Sequence, residues 1–105
     1  MVLEGIAKKN FVVIGRVGMD LSPDPVNTRT KDATTMVVGM GGSSANIAAG
    51  LVKFGCNAAL VTSVSDDAVG WYCLNQLDHY GIDRTHVNKV TGECRTSLAV
   101  YETRV

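Results

Sequence analysis

Regular patterning begins at Phe11-Val12-Val13-Ile14, an unbroken apolar run ended by Gly15, as in a strand buried in a parallel sheet. Thr34-Thr35-Met36-Val37-Val38 is a second run of strand formers and leads directly into Gly39-Met40-Gly41-Gly42. Beyond those glycines the period changes. Ile47, Leu51 and Phe54 recur at helical spacing with Ala48 beside them, Ser43 or Ser44 is placed to cap the first turn, and Gly55 supplies the stop. Ala58-Ala59-Leu60-Val61-Thr62 is the next buried-strand candidate. Ser65-Asp66-Asp67 then offers a cap and negative charge at a positive helix end, and Val69, Cys73, Leu77 and Tyr80 mark a helix over about 67–80, before Gly81. Thr96-Ser97-Leu98-Ala99-Val100-Tyr101 is a late strand candidate.

The intervening stretches lack such periods. Residues 1–10 read as an uncommitted lead-in, and 21–33, with Pro23, Pro25, Asp24, Asn27 and Asp32, as turn or loop material with at most a short edge strand. The progression is β-α-β-α without tandem repeats, which predicts an α/β layer system with a mainly parallel sheet covered by helices. Strand pieces within 21–38 and 96–101 are expected to form an appended β cover, a lid or a dimer contact through its exposed edges.

At 105 residues, 46% of them hydrophobic, one modest core is expected. Ten basic residues balance ten acidic ones, so no nucleic-acid footprint is present. The first apolar run is too short to span a bilayer and no signal-peptide pattern follows it, which makes the cytoplasm the expected compartment. Cys56, Cys73 and Cys94 are too few and too far apart for a CxxC-type zinc site, and an odd count argues against a closed disulfide scaffold. Free thiols, mostly buried, are expected, and His79 and His86 read as surface or boundary residues with no assigned metal role.

Candidate chemistry gathers at two places. Asp20 follows the first strand, where a carboxylate can accept hydrogen bonds from a hydroxylated ligand or simply cap a turn. The glycine turn at 39–42 allows close backbone approach in front of free helix N–H groups, with Asn46 reaching from the first helical turn. Gly15-Arg16-Val17-Gly18 lacks the full dinucleotide pattern and the lysine of a phosphate loop.

Taken together, Gly41-Gly42-x-x-x-Asn46-x-Ala48, Phe54-Gly55, Val64-Ser65-Asp66-Asp67-x-x-Gly70, the first-strand acid in Gly15-Arg16-Val17-Gly18-Met19-Asp20 and Tyr80-Gly81-Ile82-Asp83 resemble the amino-terminal part of a ribokinase-like carbohydrate kinase of the PfkB family. The likeness covers most of residues 11–105. Glu93-Cys94-Arg95-Thr96-Ser97-Leu98-Ala99 and the first-strand pattern look particularly like the branch acting on 5-dehydro-2-deoxygluconate. The resemblance implies a ribokinase-like layered fold with a small β lid, of which 1–105 is the incomplete amino-terminal, substrate-binding portion. It also implies ATP-dependent phosphorylation of a sugar or sugar acid by the complete protein.

By that resemblance Asp20 binds sugar hydroxyls, Gly41 and Gly42 form the substrate-side turn, and Asn46 is its polar contact. An acidic sugar would give Arg16 or Arg95 a carboxylate to pair with. Gly18 stands where many relatives carry asparagine, and Thr62 and Ser65 stand where glycines are common. The family's Asp-Thr-x-Gly-Ala-Gly-Asp type motif does not occur in this sequence. No catalytic residue or metal ligand is therefore assigned, the sites for ATP and Mg2+ are expected outside the chain, and the isolated chain is expected to be inactive. The alternative from a different class is a sugar-binding or protein-interaction module without catalysis.

Overall fold

The computed structural model describes residues 9–104; most of the lead-in at 1–10 lies outside that range. Its elements are β1 (Asn10–Ile14), β2 (Gly18–Pro23), β3 (Met36–Gly41), α1 (Ser43–Lys53), β4 (Asn57–Ser65), α2 (Ala68–His79), β5 (Val87–Val90) and β6 (Ser97–Val100), with one short 3-10 turn at Thr30–Asp32. They form an α/β fold with two three-stranded sheets. In the first, β4 lies between β1 and β5 and pairs parallel with both. In the second, β2 is central, antiparallel to β3 and parallel to β6.

The first sheet carries the core on one face. Val13 sits opposite Leu60 in the β1–β4 register, and Leu60 is fully buried with Val64, Cys73 and Leu77. Ala45 and Ala48 of α1 join the same cluster, so both helices cover this face. Strand residues alternate sides. Val12 and Ile14 therefore point the other way and are exposed, which corrects the reading of β1 as buried on both faces.

The packing face of α1 also differs from the expected one. Ile47 and Phe54 are 56% and 65% exposed, while Ala45 and Ala48 are fully buried. The helix lies against β4 and β1. Short alanine side chains allow that close approach, which rotates the bulkier residues outward, although Leu51 stays half-buried against the core. Neither Ser43 nor Ser44 caps α1. Gly42 is the N-cap with no side-chain cap bond, and the Ser44 hydroxyl donates to the Ile14 carbonyl at 3.3 Å, tying α1 to the end of β1. In α2 the expected cap is present: Asp67 accepts from the Gly70 N–H at 3.0 Å.

Two strand assignments also change. β2 continues through Leu21 to Pro23, in what reads as loop from its prolines, because β3 and β6 satisfy its backbone on both sides. β3 begins at Met36 and runs on to Gly41, so only Gly42 is left to turn the chain into α1.

Candidate functional site

Asp20 belongs to β2 and not to a loop beyond the first strand. It pairs with Gly39 of β3 and Ala99 of β6, so the half-buried carboxylate stands on the second sheet between two small residues. Gly41 is two residues from Gly39 and shares its face. A Cβ on Gly41 would overlap the Asp20 carboxylate, so the carboxylate's position requires glycine there.

Gly42 adopts φ 95°, a conformation that favours glycine, and a Cβ on it would overlap the Arg16 carbonyl oxygen. The turn is thereby pressed against the segment that follows β1. The Asn46 N–H closes the first helical bond to the Gly42 carbonyl at 3.0 Å, leaving the preceding N–H groups outside the ladder. These contacts surround a cavity of about 340 Å³ lined by Arg16, Gly18, Asp20, Gly42, Ser97 and Ala99, among others.

Asp20, Gly41, Gly42 and Arg16 are thus brought together. Asn46, exposed in the first turn of α1, is outside the cavity lining. Arg95 is not brought in. It lies in a separate cleft of about 300 Å³ with Ser65, Asp67 and Gly92, donates from Nη1 to the Gly92 carbonyl at 2.6 Å, and places Nε 3.9 Å from Asp67 Oδ2.

That cleft holds a polar network unforeseen in the sequence. The Ser65 N–H donates to Thr96 Oγ1 at 2.8 Å, the Thr96 N–H donates to Ser65 Oγ at 3.0 Å, and the two hydroxyl oxygens are 2.7 Å apart. The Ser65 hydroxyl donates to Asp67 Oδ1 at 2.8 Å. Its proton is committed to Asp67, so Thr96 is the donor between the hydroxyls. The Gly70 N–H and the Ser65 hydroxyl, with desolvation opposing and Arg95 adding attraction, hold the Asp67 carboxyl below the usual carboxylate range. The network fastens the end of β4 and the start of α2 to the residue that begins the approach to β6. In the sequence Ser65 stood out as part of the helix-cap group Ser65-Asp66-Asp67.

A third cavity, about 380 Å³, lies at the amino ends of β1 and β4. Its polar side chains are already engaged: Asn57 Nδ2 donates to Asn10 Oδ1 at 2.9 Å, and Asp83 accepts from the Thr85 N–H and hydroxyl. Ligands of α/β sheets bind beyond the carboxyl ends of strands. The Asp20 cavity is at that end and is the candidate site, although it is the smaller of the two.

Burial, with a smaller effect from Asp67, pushes the Cys73 thiol up to about 11. Cys56 and Cys73 are buried and Cys94 is exposed. Among the described residues no group of three His, Cys, Asp or Glu side chains is placed to hold a metal ion, and no helix is long and apolar enough to cross a membrane.

Comparison with known proteins identifies the family and the fold. The chain is 36% identical over 93 residues to the 5-dehydro-2-deoxygluconokinase of Clostridium tetani, covering 89% of this chain and 27% of that protein. It is 31% identical over 93 residues to the enzyme of the same name from Geobacillus thermodenitrificans, covering 89% and 28%. The chain therefore spans about a quarter of the length of these relatives. Among solved structures, the 2-dehydro-3-deoxygluconokinase of Thermotoga maritima superposes with TM-score 0.74 at 26% identity over 87% of this chain and 27% of that one. A PfkB protein from Polaromonas sp. JS666 shares the fold at TM-score 0.83 and 22% identity, over 91% and 32%. The model of the pfkB family carbohydrate kinases matches residues 8–105, and the chain belongs to that family.

Proposed function

We propose that this chain is the acceptor-binding portion of an ATP-dependent kinase of sugars or sugar acids, with 5-dehydro-2-deoxygluconate as the leading substrate. The observation that carries the reading is the Asp20 carboxylate, standing over Gly41 at the wall of a cavity closed by the Gly42 turn. A carboxylate accepts from two or more sugar hydroxyls and so fixes the ring's orientation before any transfer. Arg16, in the same cavity, supplies the cation that an acidic sugar requires. Asn46, exposed in the first turn of α1 beyond the cavity lining, is kept in this reading as a further hydroxyl contact, whereas Arg95 is engaged in its own cleft with Gly92 and Asp67.

In this reading ATP and Mg2+ are held by residues outside this chain, and the chain contributes binding and orientation. The second sheet serves as the lid, with strands at 18–23, 36–41 and 97–100. Its face opposite Asp20 carries Leu21, Val38, Leu98 and Val100. Val38, Leu98 and Val100 are each more than 40% exposed, and this apolar face is assigned to a second copy of the protein.

The test is turnover by the complete protein with ATP and Mg2+ over a panel of sugars and sugar acids, beside Asp20→Asn. A hydrogen bond to a charged group contributes about 1.5–3 kcal/mol. The variant is expected to lose about 10–100-fold in kcat/KM on the preferred substrate. No ATP-dependent turnover of any member by the wild-type protein would refute the proposal.

A further inference from the structure

We infer that Ser97 is a substrate-contacting, specificity-determining residue of the Asp20 cavity, and that Gly18 is glycine to let it in. The inference rests on the acceptor-binding reading above. In the β2–β6 register Gly18 is the partner of Ser97 and Asp20 the partner of Ala99. Residues two apart on a strand share a face. Ser97 is therefore on Asp20's side of the sheet, and both line the same cavity.

The two strands meet closely at this point. A Cβ on Gly18 would lie 2.8 Å from the Ser97 carbonyl oxygen and 3.0 Å from Ser97 Cβ, so any side chain at 18 would push β6 away or displace Ser97. A polar side chain such as asparagine at 18 cannot coexist with β6 as it is seated here. Ser97 supplies a polar group to the wall from the neighbouring strand.

Its chemistry complements Asp20. An ionised carboxylate only accepts hydrogen bonds, and a serine hydroxyl can donate one. Together they recognise a ligand presenting hydroxyl donors on one side and an oxygen acceptor on the other, which a keto or carboxylate oxygen of a sugar acid supplies. The nearby hydroxyls are committed elsewhere: Thr96 to Ser65 and Ser44 to Ile14. No hydrogen bond joins the Ser97 hydroxyl to another described residue. The Thr96–Ser65 pair, one residue upstream, anchors β6 so that the hydroxyl keeps its place.

The experiment compares the complete wild-type protein with Ser97→Ala, measuring kcat and KM on the preferred sugar acid and on singly deoxygenated or reduced analogues, with thermal unfolding as a control. Loss of one neutral hydrogen bond predicts a KM raised about three- to tenfold, an unchanged unfolding midpoint, and a penalty that vanishes for the analogue lacking the contacted oxygen. A purely structural role would penalise all substrates alike. Wild-type turnover with S97A parameters within about 1.5-fold on every substrate, or a uniform penalty, would overturn the Ser97 assignment while leaving the kinase reading intact. Absence of wild-type turnover would overturn both.

Discussion

Thr96→Val is the sharpest test of how the two sheets are joined, because valine keeps the shape and removes only Oγ1. Ser65 is 2% exposed, so its N–H has no water to turn to once Thr96 Oγ1 is gone. An unpaired buried donor costs about 1–3 kcal/mol and the lost hydroxyl–hydroxyl bond about 0.5–1.5 kcal/mol. The variant is therefore expected to be about 2–4 kcal/mol less stable by urea unfolding. Ser65→Ala removes the same hydroxyl–hydroxyl bond from the other side. The double variant should then fall short of the sum of the singles by about 1 kcal/mol, as expected for groups in one network. Exchange of the Ser65 amide should also quicken in T96V. A loss under about 0.5 kcal/mol, or strict additivity of the two substitutions, would refute the view that this reciprocal pair holds β6 to the core sheet.

Two further outcomes follow from the periphery of the second sheet. Glu102 Oε1 accepts from the Thr30 N–H at 2.7 Å and Oε2 pairs with Arg104 at 3.0 Å, and these bonds, the Thr30 one first, lower its carboxyl to about 2. A depressed carboxylate stabilises the fold above its unfolded pKa and loses that contribution as pH falls through the folded one. Protection of the Thr30 amide should thus be full above about pH 4.5 and fade toward pH 2; in Glu102→Gln, protection that still varies with pH across that window would refute the assignment. Sedimentation of the complete protein is expected to give a dimer mass that Leu98→Glu reduces to a monomer, and a monomeric wild type would remove the role given to the apolar lid face.

Much of the fold could be read from local pattern. The β-α-β-α order, Asp67 as the cap of α2 and the turn into α1 at Gly42 all depend on near neighbours, as capping, hydrophobic period and glycine conformation do. Asp20, Gly41 and Gly42 could be nominated as a candidate site because residue type and order carried the family resemblance. Their meeting depended on contacts the order does not contain. Whether 21–23 is loop or strand turned on partners at 36–38 and 100, and those pairings outweighed the prolines.

The sequence by itself therefore determined the family and the strand–helix succession over 36–79, and it nominated the acid with its glycine turn as a candidate site. Tertiary structure decided which faces are buried: in α1 the small Ala45 joins Ala48 against the sheet, while Ile47 and Phe54 are left exposed. It also decided which polar groups act together. Ser65 lies 31 residues from Thr96, and Gly18 lies far along the chain from Ser97, so neither pair leaves a periodic trace. Gly18 and Ser97 meet because β2 and β6 pair in parallel register, whereas Ser65 and Thr96 meet where the end of β4 in one sheet abuts the approach to β6 in the other; both depend on packing and backbone pairing between segments far apart in the chain.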